Sequence, residues 1–193
     1  VCHGRRWRGC LRGSKRSIII DLYYPALNTF GLAPLLVARQ EHTATLLANG
    51  KVLFTGGFDN SSPPNCLSSA EIYDPGNGTG ALTASMSVPR ADHTATLLPD
   101  GNVLIAGGVS GTFFPALSSA EEYNPFSGTF GPTFNAMTVG RRLQTATLLN
   151  NGQVLIAGGW NDAGALNEAE LYDPTSLKFT PTASMVNVRG LAA

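Results

Sequence analysis

Residues 151–159 read NGQVLIAGG, and near-copies stand at 49–57 (NGKVLFTGG) and 100–108 (DGNVLIAGG). Each copy joins a turn dipeptide to a short apolar run and ends in paired glycines. Two readings compete: a glycine-rich phosphate loop used three times, or a strand end in a repeated scaffold. A phosphate loop needs glycines spaced G-x-G-x-x-G or G-x-x-x-x-G-K-[ST], opening onto a helix whose first N–H groups face the anion. Here no Lys-Ser/Thr follows, and Phe58-Asp59 and Trp160-Asn161 lead into loops instead. Gly56, Gly57, Gly107, Gly108, Gly158 and Gly159 therefore read as scaffold, letting the strand end turn and neighbouring units approach closely.

The surrounding sequence repeats with the glycines. TATLL occurs at 43–47, 94–98 and 145–149, a spacing of 51 residues both times. SSAEIYDP (68–75), SSAEEYNP (118–125) and NEAELYDP (167–174) follow, then Met86, Met137 and Met185, then an arginine at 90, 141 and 189. Each unit reads as four short strands. The first is rich in Thr and Leu and ends at Asn49-Gly50, Asp100-Gly101 or Asn151-Gly152, a dipeptide expected to form a two-residue hairpin with positive φ at both positions. The second is near-continuously apolar, as for a strand covered on both faces. In the third, Glu and Tyr share one face while Ala and Ile share the other. The fourth is irregular and carries an apolar residue at Leu82, Phe130 or Phe179.

Four antiparallel strands recurring at about 50 residues describe a β-propeller blade. The ordered set of Gly-Gly, SAE-[LI]-Y-[DN]-P, fourth-strand aromatic, Met and Arg resembles kelch-repeat propellers, in particular the bacterial type and the central domain of galactose-oxidase-like proteins. The resemblance covers residues 18–193, with Leu82, Phe130 and Phe179 standing where kelch blades commonly have Trp. LYYPALNTF (22–30) aligns with LYDPTSLKF (171–179), so residues 18–36 read as the end of a preceding blade, with repeats beginning near 42, 93 and 144. The expected fold is all-β, a partial propeller of about 3.5 four-stranded antiparallel blades. Closed propellers have 4–8 blades, so further blades are expected from a longer parent chain or from self-association.

Composition agrees. Charged residues are 13% of the chain, about half the usual share, while Gly (22) and Pro (12) are plentiful. No apolar run approaches the roughly 20 residues of a membrane span. Residues 1–17 hold six of the thirteen Lys and Arg and no acid. That basic leader, without a signal-type apolar region, reads as disordered or non-native, and no nucleic-acid partner is expected. Cys2, Cys10 and Cys66 show no metal-ligand spacing, so neither metal nor cofactor is expected.

Two groups of residues are candidate sites. His42, His93 and Gln144 open strand one in successive repeats, and the resemblance implies that this position faces the mouth of the central channel. They are candidates for a polar ligand rather than a metal, which would need them to converge at about 2 Å. The loops after Gly-Gly differ between repeats: FDNSSPPNC (58–66), VSGTFFPAL (109–117) and WNDAGALN (160–167). Function commonly sits on such loops, which makes Phe58, Asp59, Phe113, Phe114, Trp160 and Asn161 candidates for a sugar or a protein surface. The sets Arg39, Arg90, Arg141; Glu71, Glu121, Glu170; and Tyr73, Tyr123, Tyr172 recur in every unit. They therefore read as structural, each Glu pairing an Arg or capping backbone N–H groups. The expected function is a non-enzymatic scaffold recognising a protein or carbohydrate through the strand 2–3 and strand 4–1 loops. The alternative is a fragment of a galactose-oxidase-like or other propeller enzyme with its catalytic residues elsewhere, since no Tyr, Cys and His set matches the galactose oxidase copper site. The repeat style and the tripeptides at Asn60 and Asn77 lead to an expected secreted or cell-surface location.

Overall fold

The computed structural model describes residues 19–24, 28–111 and 115–190. The leader, Phe113 and Phe114 lie outside the described residues. Two strands come first, β1 (Ile19–Tyr24) and β2 (Thr29–Pro34), paired antiparallel. A four-stranded sheet follows, β3 (Thr43–Leu46), β4 (Val52–Thr55), β5 (Ala70–Asp74) and β6 (Thr79–Leu82). The next holds β7 (Thr94–Leu97), β8 (Val103–Ala106), β9 (Ala120–Asn124) and β10 (Thr129–Pro132). In the last, β11 (Thr145–Leu148) and β12 (Val154–Ala157) precede a small hairpin, β13 (Trp160–Asn161) with β14 (Gly164–Ala165). β15 (Ala169–Asp173) and β16 (Lys178–Pro181) then complete the sheet. Within each four-stranded sheet the spatial order is the chain order, all antiparallel. These are three meander blades preceded by half of another.

The first hairpin of each blade differs from expectation. Leu47 N–H bonds the Lys51 carbonyl (2.8 Å), leaving three loop residues. Gly50 has φ +80° whereas Asn49 is not left-handed, and the Asn49 carboxamide oxygen instead accepts the Lys51 N–H (3.1 Å). The loop is a turn followed by one left-handed glycine, the three-residue alternative to the two-residue hairpin. Asp100 and Asn151 accept the N–H of Asn102 and Gln153 in the same way.

Alternation along the strands sends each blade's two faces into different cores. Phe54 and Tyr73 pack with Ala33 and Leu35 of the preceding half-blade. Leu53, Ala70 and Met86 pack with Val103, Ile105 and Tyr123 of the second blade. Leu104, Ala120 and Met137 pack with Val154, Ile156, Tyr172 and Phe179 of the third. The hydrophobic core is thus a series of inter-blade layers, and each Glu and Tyr points back at the previous blade.

Register corrects the fourth strand. Tyr123 lies opposite Phe130 and Tyr172 opposite Phe179, with ring centroids 4.8 and 4.7 Å apart. Tyr23 opposite Phe30 repeats the pair in β1–β2. Tyr73, however, lies opposite Gly80, not Leu82, and Leu82 is 61% exposed. Leu82 stands nine residues after Tyr73, whereas Phe130 and Phe179 stand seven residues after Tyr123 and Tyr172. A Cβ on Gly80 would lie 3.7 Å from Leu36 Cγ, so the leucine of the incoming link covers the place where the other blades carry a ring.

Candidate functional site

Chain direction puts the strand 1–2 and strand 3–4 turns at one end of every blade. The strand 2–3 loops and the strand 4–1 links lie at the other end. The loop end is built on a buried ionic staple repeated three times. The Glu71 carboxylate accepts the N–H of Leu36 (2.6 Å) and Val37 (3.3 Å), and Arg39 Nε (3.0 Å) and Nη2 (2.7 Å). Arg39 Nη1 donates onward to the carbonyls of Gly56 (2.7 Å) and Ser69 (3.1 Å). Glu121 takes the N–H of Ser87 and Val88 and Arg90 Nη2 (3.0 Å), while Arg90 Nη1 reaches the Gly107 and Ser119 carbonyls. Glu170 holds Thr138, Val139 and Arg141 Nη2 (3.1 Å), and Arg141 Nη1 bonds the Gly158 and Glu168 carbonyls.

All six side chains are buried. Burial pulls the Arg39 and Arg90 guanidinium groups below their ordinary pKa, opposed by the facing carboxylate. Each Glu belongs to one blade and the amides it holds to the link arriving from the blade before. The staple therefore both pairs the arginine and caps the backbone, and it sets the spacing between blades. A buried ion pair is tolerable only when hydrogen bonded to this extent, and in the three arginines Nε of Arg90 alone has no partner. The glycine pair completes it: Gly56 has φ +60°, and a Cβ there would lie 2.2 Å from the Arg90 carbonyl.

Two of the residues that open strand one, His93 and Gln144, face the preceding blade. His93 is buried, and its Nε2 lies 3.0 Å from both Thr43 Oγ1 and Thr55 Oγ1 of the first blade. Gln144 is buried between the second and third blades and its Nε2 donates to the Ala106 carbonyl (2.8 Å). Ala106 occupies the register position of Thr55, so glutamine reaches the Ala106 carbonyl in place of that hydroxyl, with Thr94 Oγ1 a further 3.5 Å partner. His42 packs its ring on Phe54 (5.7 Å between centroids). Burial, reinforced by the Arg39 charge, lowers His42 to about 4, and burial holds His93 well below the usual imidazole range. Both are neutral at pH 7. Among the described residues no three His, Cys, Asp or Glu side chains converge as a metal set.

Repetition of side chains gave no sign of a further inter-blade device. Glu41, Asp92 and Leu143, immediately before His42, His93 and Gln144, have φ of +50°, +55° and +55°. Asp92 N–H bonds the Glu41 carbonyl (3.2 Å) and Leu143 N–H the Asp92 carbonyl (3.1 Å), a backbone chain running from blade to blade. The three residue types differ, so the position is conserved in conformation only, which no side-chain pattern reveals.

In the variable loops, two of the candidate polar side chains organise their own backbone. Asp59 accepts the N–H of Ser61 (3.0 Å) and Asn65 (2.8 Å) and the Asn65 carboxamide (3.2 Å), which hold its carboxyl well below the usual range. Asn161 accepts the N–H of Ala163 (2.8 Å) and Gly164 (3.1 Å) and thereby shapes the β13–β14 hairpin. Phe58 is half-buried and bridges Gln40 and Cys66 through its backbone. Trp160 pairs with Arg142 through its backbone, lies against Gly190, and leaves 39% of its surface exposed. Of the candidate loop side chains described, Trp160 presents the largest open aromatic surface.

Comparison with known proteins agrees with this geometry. The Kelch motif matches residues 141–186, the third blade. A 75-residue stretch, 38% of this chain, is 41% identical to tRNA wybutosine-synthesizing protein 4 of Saccharomyces cerevisiae and spans 10% of that protein. Over 106 residues, 54% of this chain, identity to Spermatocyte protein spe-26 of Caenorhabditis elegans is 31%, spanning 18% of it. The chain thus matches under a fifth of the length of either relative. The solved structure of YjhT superposes with a TM-score of 0.71 over 85% of this chain and 58% of that one, at 14% identity, which is a likeness of fold. With motif and blade geometry in agreement, the third blade carries a kelch motif and the chain folds as part of a β-propeller.

Proposed function

We propose that this chain is a non-enzymatic recognition segment that binds a protein or carbohydrate ligand through the loop end of its blades, centred on Trp160. The observation that carries this reading is a contrast within each repeat. The staple, the glycine pair and the Tyr face recur in every blade, whereas the strand 2–3 loops differ in sequence. Within the third loop, the Asn161 turn and the β13–β14 pairing fix the backbone beneath a half-exposed indole. A rigid aromatic platform of this kind stacks on a sugar face or anchors a protein contact at low entropic cost. Asp59 and Asn161 act in this scheme by shaping the loops, and Phe58 and Trp160 by offering surface. His93 and Gln144 contribute by holding the blades that carry the loops.

The two relatives carry names from unrelated processes, tRNA wybutosine synthesis and the spermatocyte, which supports a shared scaffold rather than a shared reaction. The test is a glycan array and affinity capture with the chain and its Trp160→Ala variant, whose folding is checked by thermal melting. The expected outcome is a retained melt with binding weakened at least about tenfold, as for loss of an aromatic anchor. Unaltered binding by the folded variant refutes the assignment of Trp160.

A further inference from the structure

Asn-Gly, in which no Cβ keeps the glycine nitrogen from the preceding carboxamide, stands at 49–50, 77–78 and 151–152. All three asparagines are exposed, at the turn end of their blades. In each pair the glycine N–H bonds a backbone carbonyl, that of Leu47 (3.0 Å), Asp74 (2.9 Å) or Leu149 (2.9 Å), so this bond does not distinguish them. The carboxamides do. Asn49 Oδ1 accepts the Lys51 N–H (3.1 Å). Asn151 Oδ1 accepts the Gln153 N–H (3.1 Å), while its Nδ2 donates to Gln153 Oε1 (2.9 Å). Asn77 Oδ1 accepts two donors, the Thr79 N–H (3.0 Å) and the Thr79 hydroxyl (2.6 Å). The turn from β5 to β6 does not depend on the Asn77 amide. The other blades carry Ser127 and Ser176 at this place, and the Ser127 hydroxyl likewise meets a threonine two residues on, Thr129 (2.7 Å).

We propose that Asn77 is a self-modification site, converted to aspartyl and isoaspartyl forms with water as the only co-reactant, and that Thr79 promotes the conversion. The Gly78 nitrogen gives its proton to solvent and attacks Asn77 Cγ, and the electron pair of the carboxamide C=O moves onto Oδ1. The Cγ–Nδ2 bond then breaks, the nitrogen leaves as ammonia with a solvent proton, and a five-membered succinimide remains. Water opens that ring at either carbonyl, giving aspartyl or isoaspartyl. Negative charge develops on Oδ1, so two donors already aimed there stabilise the transition state more than the neutral amide. The bond to an N–H two residues on also folds the carboxamide across the intervening peptide, the one that contains the Gly78 nitrogen. At Asn151, by contrast, the departing nitrogen is held by Gln153. The product adds a carboxylate to the turn, and the isoaspartyl form adds one backbone atom before Gly78. That atom displaces the Gly78 N–H from the Asp74 carbonyl and loosens the entry to β6. The turn lies at the end opposite the variable loops, so the inference is independent of any ligand bound at Trp160.

The test uses the chain purified from a bacterial cytosol, where no glycan is added at the Asn77 tripeptide. It is held at pH 8 and 37 °C and sampled over days. Peptide maps read the mass gain from amide to acid at each asparagine and separate aspartyl from isoaspartyl. Asn77 should convert ahead of Asn49 and Asn151. Thr79→Val, confirmed as folded by its melt, should slow Asn77 by about two- to tenfold, the worth of one net hydrogen bond. It should leave Asn49 and Asn151 unchanged, and Thr79→Ser, which keeps the hydroxyl, should retain the parent rate at Asn77. In unfolding concentrations of urea the three sites should converge on one rate. Asn77 converting no faster than Asn49 in the folded chain, or at the same rate in folded Thr79→Val, overturns the proposal. Should Thr79→Val unfold, the urea comparison decides, because an order that persists there belongs to the local sequence and not to the turn.

Discussion

Replacing Glu121 by Gln tests whether the ionic staples hold the blades together. The substitution conserves shape and removes only charge and one acceptor oxygen. Glu121 is 4% exposed and Arg90 is fully buried, so water cannot compensate the arginine once its partner is neutral. Three bonds are at stake, from Ser87 N–H (2.8 Å), Val88 N–H (3.2 Å) and Arg90 Nη2 (3.0 Å). A carboxamide oxygen can keep one of them, while its amino group faces a donor. Removing one partner of a buried pair costs about 3–5 kcal/mol. For a chain of this size each kcal/mol moves the melting temperature by about 2–4 °C, giving a fall of roughly 6–20 °C. Circular dichroism melts of the purified chain read this directly. Lys51→Ala, which breaks the exposed 3.2 Å pair with Asp74, is the control and should shift the melt by no more than about 1 kcal/mol equivalent. The Glu121 deficit should persist in 1 M salt, since a buried pair is poorly screened. A Glu121→Gln melt within about 2 °C of the parent, equal to the Lys51→Ala shift, would refute the staple.

Acidification should destabilise the chain between pH 6.5 and about 4. In the unfolded state His42 and His93 take up protons below pH 6.5, whereas burial and the Arg39 charge hold folded His42 to about 4, and burial holds His93 well below the usual imidazole range. The unfolded state therefore binds more protons across that window, and stability falls with pH by on the order of 1–3 kcal/mol per imidazole. Denaturant melts at stepped pH should show it, and His93→Gln, the residue the third blade already uses, should flatten the slope. A slope unaffected by that substitution would exclude His93 as its source. Gly107→Ala and Gly101→Ala separate close approach from backbone conformation. Both have positive φ (+67° and +89°), but only at 107 would a Cβ meet atoms, 2.5 Å from the Arg141 carbonyl and Gln144 Nε2. Gly101→Ala should cost about 1–2 kcal/mol from the left-handed conformation alone. Gly107→Ala should cost at least about twice that, and equal losses in urea melts would contradict the inter-blade contact.

The blade was legible because its determinants are local and repeated. Gly-Gly, Glu-x-Tyr and Arg recur in fixed order, with Arg 17 residues before the first glycine each time, and their roles in the staple follow from residue type. What escaped the reading depends on register or on backbone shape. Leu82 matches Phe130 in apolar character, but in every blade the partner of the tyrosine is the seventh residue on, which is Gly80 in the first, and a residue two positions further keeps the face while meeting another partner. The three-residue hairpins escaped because Asn-Gly serves both loop lengths, and only the bond from Leu47 to Lys51 distinguishes them. The left-handed residues Glu41, Asp92 and Leu143 share no side-chain chemistry at all. Trp160 and Asn161 were visible as unusual loop residues, but their division into surface and turn-former needed the hydrogen bonds.

His93 and Gln144 show why a repeated polar position need not be a site. The argument for a ligand rested on three polar side chains at equivalent places around one axis. In the folded chain the choice of residue follows the neighbour instead. Histidine stands where the preceding blade offers the Thr43 and Thr55 hydroxyls, and glutamine where Thr94 offers one hydroxyl (3.5 Å) and Ala106 a carbonyl in place of the second (2.8 Å). A side chain selected for binding something outside the protein has no reason to vary with the second strand of the blade behind it. One selected to close an inter-blade gap does, because a buried polar group must find a partner or cost about 1–3 kcal/mol. The same logic runs in reverse for the loops. Phe58 and Trp160 hold equivalent places beside Gln40 and Arg142, and Asp59 and Asn161 each accept the N–H two residues on, yet the residues carried between these shared bonds differ in number and kind. Variation unaccompanied by a compensating change in the neighbouring blade is where selection by an external partner has room to act.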